Sequence, residues 1–277
     1  MKIGIMGAML EEVDILRQQM TDISEVEHGG RKYYLGKLNK TEVILVFSRW
    51  GKVAAAATVT SLITEFKINQ LIFTGVAGAV APDLKIGDVV IGERYYQHDM
   101  DARPLFEKHV VPLTSMTFFK ADKVLIKKAE AACKNLLESP VEHIGAGALK
   151  EFGINQPKYV VGTIASGDQF IADTKKTQAI LSDQPKTAAV EMEGAAVAQV
   201  CHDYKIPFVV IRTISDVADH AAHIDFPKFI NKIAKHYSEH IIRSMFSKPF
   251  VNKLDITKEN ESEHQPSASN LSLRSAL

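Results

Sequence analysis

Short apolar runs alternate with amphipathic segments along the chain, from the N-terminus to about residue 247. Compact apolar runs bounded by Gly, Asn or Pro are typical of strands, whereas apolar residues at intervals of three and four are typical of helices. The pattern predicts strands at 3–8, 32–37, 43–48, 71–74, 86–92, 159–166, 188–190 and 207–215. It predicts helices at 10–20, 52–66, 121–137, 174–181, 194–201 and 226–245.

This alternation predicts a single α/β domain over residues 1–247, with three layers, α/β/α, around a twisted mixed central sheet. The continuous apolar run at 207–215 predicts a central strand covered on both faces. Two stretches lack a regular period. We expect 97–119 to form a long functional or interface loop, and 145–157 to form a glycine-containing surface excursion.

The C-terminal segment, residues 248–277, differs from the rest in composition. Asn, Ser, Glu, Lys and Gln are frequent there, and few large apolar residues occur before Leu271. Such a segment buries too little apolar surface to offset the entropy of ordering. We therefore expect a disordered tail.

Composition narrows the possible functions. Lys plus Arg and Asp plus Glu both total 33, so no net field attracts nucleic acid or an anionic membrane. No apolar run approaches the roughly 20 residues that span a bilayer. Cys133 and Cys201 lie in predicted helices without CxxC spacing, which favours a cytoplasmic protein. Near His98, Asp99 and Asp101 no second ligand pair has suitable spacing, so no metal site is expected.

Acidic residues follow three of the predicted strands. Glu191 and Glu193 stand between the seventh strand and the helix after it, Glu12 follows the first strand, and Asp216 ends the eighth. A single pair of acids could simply complement the positive end of a helix. Repetition at three strand ends favours a ligand site, because the carboxyl ends of strands line the crevice of an open α/β sheet.

Six motifs stand in order along the chain: IGIMGAMLEE at 3–12, GKVAAA at 51–56, TGVAG at 74–78, ASGDQFI at 165–171, AVEMEGAA at 189–196 and IRTISDVAD at 211–219. In content and order they resemble those of the 5′-methylthioadenosine/S-adenosylhomocysteine nucleosidases, in the purine nucleoside phosphorylase superfamily. The resemblance extends from Lys2 to about Met245. It implies a nucleoside phosphorylase-like fold and a hydrolase that removes adenine from 5′-thio-substituted adenosines, without a metal or organic cofactor.

Matching the motifs residue by residue implies particular roles. Glu12 would position the attacking water, Glu193 would hold the ribose hydroxyls, and Asp216 would act at the adenine ring. Other positions that match the family pocket are Met192 at the sugar, Phe170 and Ile171 flanking the purine, and Met9, Ala77, Gly78, Arg212, Ser215 and Phe226. The resemblance also implies a homodimer, with the apolar loop at 101–119 crossing the interface beside the partner's pocket.

The residue types fit this chemistry. Breaking an N-glycosidic bond builds positive charge on the sugar and negative charge on the departing base. Asp216 can protonate adenine only if burial raises its pKa. Glu12 can accept a proton from water, and Glu193, at a helix start, is expected to stay ionised and accept hydrogen bonds from two hydroxyls.

Two residues depart from the family pattern. Val76 replaces a Ser, and Trp50 replaces a small aliphatic residue. One hydrogen-bonding side chain near the purine is therefore absent and one pocket wall is larger. The substrate is expected to be methylthioadenosine or S-adenosylhomocysteine, with 5′-deoxyadenosine and 6-amino-6-deoxyfutalosine as further candidates.

Two other functions stay open at this point. A nucleoside phosphorylase of the same fold needs an anion site near the first strand, where Glu11 and Glu12 would instead repel phosphate. A nucleoside-binding regulator without catalysis would not obviously require Glu12, Glu193 and Asp216 together.

Overall fold

A computed structural model describes residues 1–217, 226–248 and 250. Met1–Ser247 form one compact unit. Apart from Lys248 and Phe250, the predicted tail at 248–277 lies outside the described residues. The strands are β1 Lys2–Gly7, β2 Thr21–His28, β3 Arg31–Leu38, β4 Thr41–Phe47, β5 Gln70–Ala79, β6 Val89–Gln97, β7 Phe119–Lys120, β8 Tyr159–Ser166, β9 Thr187–Glu191 and β10 Phe208–Asp216.

The helices of this unit fall between the strands and after the last one. They are α1 Leu10–Arg17, α2 Lys52–Thr64, α3 Lys123–Glu138, α4 Pro140–Ile144, α5 Ala146–Glu151, α6 Thr174–Asp183, α7 Gly194–Asp203, α8 Phe226–Phe229 and α9 Lys235–Met245. A π-helical stretch, Ile230–Ala234, joins α8 to α9. Helix α2 packs against α7, and α1 and α3 pack against α9. The predicted α/β fold with a mixed central sheet is confirmed.

The described strands form one mixed sheet, part of which closes on itself. Strand β5 pairs in parallel with β10 and antiparallel with β9. Strand β10 pairs antiparallel with β6, β6 in parallel with β8, and β8 in parallel with β9. These five strands form a ring, which we call the closed sheet. Strand β1 pairs in parallel with β5 and β4, and β2, β3 and β4 extend outward as an open arm.

The pairing register brings several strand ends to one edge. Gly7 at the end of β1 is level with Thr74 of β5, and Asp216 at the end of β10 is level with Gly78. Ser166 of β8 is paired with Glu191 of β9. Carboxyl ends of parallel strands thus meet, as they do at the ligand crevices of α/β sheets.

Glycine lets β5 run further than the apolar pattern predicts. The strand was expected at 71–74, but it continues through Gly75 and Gly78 to Ala79. A Cβ at Gly75 would stand 2.6 Å from the Cβ of Ala8 and 3.0 Å from a guanidinium nitrogen of Arg212. Only glycine allows β1, β5 and β10 to lie this close at the edge that carries the acids.

Two other regions differ from the expectation. Strand β2 was not predicted, because all its residues are exposed and no apolar alternation marks it. The stretch 145–157 was expected to be irregular, yet α5 begins at Ala146 and follows directly on α4. Leu149 and Ile154 are buried there, so apolar anchoring orders this short segment.

No helix among the described residues has the length and apolar character that crossing a membrane requires.

Candidate active site

A cavity of about 340 Å³ opens at the edge where the strand ends meet. Most of the residues expected at the site line it: Met9, Trp50, Val76, Ala77, Gly78, Phe170, Ile171, Met192, Glu193, Ser215, Asp216 and Phe226. Glu12 and Arg212 do not line it. Both side chains are fully buried behind the lining.

Glu12 lies directly behind Ala8 and Met9. It is the third residue of α1, and its Oε2 accepts a hydrogen bond of 3.0 Å from the N–H of Met9, as acids at this helix position commonly do. Its Oε1 accepts a hydrogen bond from the hydroxyl of Ser238 on α9. Burial raises the pKa of Glu12 to about 7, although both hydrogen bonds and the charge of Arg212 act in the opposite direction. The carboxyl can therefore exchange a proton near neutral pH.

Arg212 binds protein carboxylates rather than forming a pocket wall. Its Nη2 lies 2.7 Å from Glu191 Oε2 and 3.9 Å from Glu193 Oε2. The guanidinium also stacks over the ring of Phe73, with 4.1 Å from its carbon to the ring centroid. Arg212 was expected to contact substrate, and this stays a prediction: its side chain is fully buried, like that of Glu12, and does not line the cavity.

Glu191 is the centre of a hydrogen-bond network that the sequence did not reveal. It accepts hydrogen bonds from the N–H groups of Glu193 and Gly194, and from the Ser166 hydroxyl. The same hydroxyl accepts a hydrogen bond from the N–H of Ala195, at 2.7 Å. Glu191 therefore joins the ends of β8 and β9 to the start of α7, and fixes the backbone that carries Glu193.

Glu193 points into the cavity from the N-terminus of α7. Its Oε1 accepts a hydrogen bond of 2.9 Å from the N–H of Gly51, and the residue is 5% exposed. Burial and the neighbouring Glu191 raise its pKa above the ordinary range, while Arg212 lowers it less. The helix N-terminus alone was expected to keep Glu193 ionised, but this neglected both desolvation and the second acid.

Asp216 also lines the cavity, at the point where β10 ends. A register shift between Ile214 and Asp216 turns the strand end, and the residue is 6% exposed. The Ser215 hydroxyl donates a hydrogen bond of 2.8 Å to its Oδ2. This position beside Gly78, at the edge of an apolar cavity, suits an acid that donates a proton to a bound ring.

Aromatic side chains form much of the wall. The rings of Phe170 and Phe226 are 6.2 Å apart and nearly perpendicular, so they pack edge to face on each other and offer a joint aromatic surface to a flat purine. The indole Nε1–H of Trp50 donates a hydrogen bond of 2.9 Å to the carbonyl oxygen of Ala8. Trp50 is nevertheless 61% exposed, and its large side chain therefore lies at the mouth of the cavity.

Lys52 connects the loops that carry these walls. Its ammonium contacts Asp99 Oδ1 at 2.6 Å and Gln97 Oε1 at 3.0 Å, beyond the end of β6. Its backbone N–H donates to Asp168, and the N–H of Asp168 donates to Asp99. Gly51, at a φ of 90°, turns the chain so that its own N–H reaches Glu193. The network fixes the loop that bears Phe170 relative to α2.

Four lining residues were not singled out from the sequence: Ala8, Gln169, Val190 and Pro227. Glu191, which also lines the cavity, was noted as an acid at a strand end, but no role was assigned to it. The other four only flank residues that had been singled out. Among residues 1–217 and 226–248, no group of three or more His, Cys, Asp or Glu could hold a metal ion.

Comparisons with known proteins agree with this geometry. The family model described as the phosphorylase superfamily matches residues 2–246. A 5′-methylthioadenosine/S-adenosylhomocysteine nucleosidase from Streptococcus pneumoniae, solved with a transition-state inhibitor, is 35% identical with a TM-score of 0.77, covering 89% of this chain and 98% of that one. The corresponding enzyme from Colwellia psychrerythraea, solved with adenine, is 34% identical with a TM-score of 0.77, covering 89% and 95%.

A third solved structure carries a different name. The futalosine hydrolase of Helicobacter pylori is 33% identical, with a TM-score of 0.74, covering 89% of this chain and 97% of that one. The match along nearly all of both chains, together with the acids and aromatic walls of the cavity, shows that this chain belongs to the 5′-methylthioadenosine/S-adenosylhomocysteine nucleosidase family of the phosphorylase superfamily.

Proposed function

We propose that this protein hydrolyses the N-glycosidic bond of 5′-methylthioadenosine and S-adenosylhomocysteine and releases adenine. In this reaction Asp216 donates a proton to the departing base, Glu12 accepts a proton from the attacking water, and Glu193 accepts hydrogen bonds from the ribose hydroxyls. Phe170 and Phe226 hold the purine. Such a reaction would serve methionine salvage and remove a product of methyl transfer.

The reaction divides charge between two ends of the substrate. The sugar becomes positive as the bond breaks, and the base becomes negative. The carboxyl of Glu193 lies in the cavity and that of Glu12 directly behind its wall, so both can stabilise a positive sugar. Asp216, which also lines the cavity, can donate a proton to the departing base. A pKa of about 7 makes Glu12 a base matched to neutral pH, since both of its protonation states are well populated there.

The pairing of Arg212 with Glu191 is the observation that favours water over phosphate as the nucleophile. No Lys or Arg among the described residues lines the cavity, and the Arg212 guanidinium is already held by Glu191. A phosphate beside Glu12 and Glu193 would meet carboxylates without a free cation. This arrangement supports a nucleosidase over a phosphorylase of the same fold.

The nucleophile can be identified with isotopically labelled water. In phosphate-free buffer made with ¹⁸O water, adenine release should continue and the free sugar should gain one ¹⁸O, as measured by mass spectrometry. A strict need for phosphate, with a sugar 1-phosphate as product, would overturn the proposal. Binding of methylthioadenosine without any turnover would favour the regulator.

The 5′ side of the substrate is a second question. Trp50 at the cavity mouth offers a broad aromatic face, which suits a bulky or aromatic 5′ substituent. The likeness to the H. pylori futalosine hydrolase supports testing 6-amino-6-deoxyfutalosine beside 5′-deoxyadenosine and the two thio-nucleosides. The ratio of kcat/KM values across this panel measures the preference for the 5′ substituent. Trp50→Ile tests whether the Trp50 side chain determines that preference.

We also propose that the protein acts as a homodimer in the cytoplasm, without cofactor or metal. Large apolar side chains are exposed near the cavity mouth on α1 and α2, at Leu10 and Val53, and on the loop between β6 and β7, at Leu105 and Leu113. Such surface is typical of an interface. Cys133 and Cys201 are free and buried, which fits a reducing compartment. The catalytic unit is residues 1–247.

A further inference from the structure

The carboxyl of Glu12 is held by two elements that are far apart in the sequence. One oxygen accepts the N–H of Met9, at the start of its own helix. The other accepts the hydroxyl of Ser238, 226 residues further along the chain, with 2.5 Å between the oxygens. Glu12 is fully buried and Ser238 is 3% exposed. Each oxygen of the carboxyl thus accepts one hydrogen bond, from a different segment of the chain.

The π-helical stretch before α9 helps to determine which residue faces Glu12. A π turn contains one residue more than the preceding α turn, and each residue turns an α-helix by about 100°. The stretch at Ile230–Ala234 therefore changes the face that every later residue of this helix presents. Ser238 follows by four residues and faces Glu12. The hydroxyl of Tyr237, the residue before it, is buried and has no hydrogen-bond partner among the described residues.

We propose that Ser238 is a positioning residue that orients the Glu12 carboxylate and stabilises its ionised form. The inference rests on the proposed function, in which Glu12 must be ionised to accept a proton from water. A serine in a helix can also donate to the carbonyl of the preceding turn. Here the hydroxyl donates to the carboxylate instead.

The groups around Glu12 determine the direction of the effect. From β10, the positive charge of Arg212 favours the carboxylate. From α1 and the residues before it, the N–H groups of Met9 and Ala8 do the same. From α9, the hydrogen bond of the Ser238 hydroxyl also favours the carboxylate, whereas burial favours the protonated acid and is the largest effect. Because a hydrogen bond to the charged form lowers the pKa of an acid, loss of the hydroxyl should raise the pKa of Glu12 further.

The experiment compares pH profiles of kcat/KM for methylthioadenosine, which report ionisations of the free enzyme. Ser238→Ala should move the acidic limb upward by about one pH unit, so that kcat/KM falls about tenfold below pH 6 and converges with the wild type only above about pH 9. Ser238→Thr, which keeps the hydroxyl, should restore the limb. Ser238→Cys, a weaker donor of similar size, should lie between Ala and wild type.

Two controls separate positioning from packing. Ser244→Ala, on the same helix but with its hydroxyl away from Glu12, should leave the profile unchanged. The ¹³C shift of the Glu12 carboxyl, assigned by its loss in Glu12→Gln, should titrate about one unit higher in Ser238→Ala even without turnover. The inference would be overturned if Ser238→Ala shifted neither the acidic limb of the kcat/KM profile nor the ¹³C titration of Glu12. This holds both for an unchanged rate and for a rate that falls equally at all pH values. Absence of wild-type turnover would instead overturn the proposed function.

Discussion

The closed sheet and the open arm use similar ion pairs in different surroundings. On the arm, Lys37 of β3 lies 2.8 Å from Asp22 of β2, and both side chains are largely in water. In the closed sheet, Arg212 lies 2.7 Å from Glu191, and both are at most 2% exposed. The distances hardly differ, but only the second pair has lost its hydration. Burial therefore turns a common contact into a feature on which the site depends.

The largest effect should follow from Asp216→Asn. The Asn keeps the size of the side chain but removes the proton that the departing adenine receives. We expect kcat to fall by about 10²–10⁴-fold, with a much smaller change in the affinity for a nonhydrolysable nucleoside. Turnover assays and calorimetry measure the two quantities. Asp22→Asn on the arm is the matched control, and near-wild-type turnover in Asp216→Asn would mean that Asp216 is not the acid.

Arg212→Met tests the buried pair directly. The substitution keeps much of the side-chain volume but leaves Glu191 and Glu193 without their counter-charge. We expect the free energy of unfolding to fall by about 3–5 kcal/mol. Urea titration measures this value. Lys37→Met removes the equivalent charge from the arm and should change stability little, so equal losses in the two variants would contradict the comparison.

Stability should also depend on pH through Glu12. Its pKa is about 7 in the folded protein and near 4.5 in the unfolded chain, so the folded state binds more protons between these values. The contribution of Glu12 to folding is complete below pH 4.5 and is lost as the pH rises through 7. As the pH rises from 4.5 to 8, the free energy of unfolding of Glu12→Gln should therefore increase by roughly 3 kcal/mol relative to that of the wild type.

Urea titrations at several pH values measure how the unfolding free energies of Glu12→Gln and the wild type separate with pH. Glu25→Gln, at an exposed position of the arm, is the control and should keep a constant difference from the wild type. A pH-independent difference for Glu12→Gln would mean that the folded protein holds this carboxyl no differently from water.

Exposed apolar residues on the loop between β6 and β7 and on the open arm provide a test of the proposed homodimer. Leu105 and Leu113 lie on the loop between β6 and β7, whereas Ile23 lies on the arm, and all three are exposed. Leu105→Asp with Leu113→Asp should weaken the dimer at least about 30-fold, as expected for losing an apolar anchor. Ile23→Asp should not. Analytical ultracentrifugation measures the dissociation constants, and a fully active wild-type monomer at assay concentration would remove the dimer proposal.

The smallest effect is expected from shortening the C-terminus. Ending the chain after Phe250 removes residues 251–277, whose composition offers few apolar anchors. Melting temperature and kcat/KM should stay close to those of the full chain. A fall of several degrees or a tenfold loss of activity would show that these residues contribute to the folded unit.

Much of the fold could be predicted because its elements have strong local patterns. The run before Asp216 begins with four apolar residues, as expected for a strand covered on both faces, and β10 is indeed buried at every residue except Ser215, which is half-buried. Strand β2 lacks any such pattern, since pairing with β3 leaves all its residues exposed. The short helices α4 and α5 were likewise missed, because they show no periodic apolar face: α4 buries none of its residues, and α5 buries only Leu149.

The sequence by itself determined most of the order of strands and helices, and it singled out Glu12, Glu193 and Asp216 through motifs that stand at strand ends. Only the tertiary structure decided what surrounds each acid. Arg212 became a partner of Glu191, Ser238 reached Glu12 from a helix near the end of the described chain, and the N–H of Gly51 reached Glu193. Proton affinity depends on desolvation and on charges a few ångströms away. These arise from contacts between distant segments, which local sequence patterns do not specify.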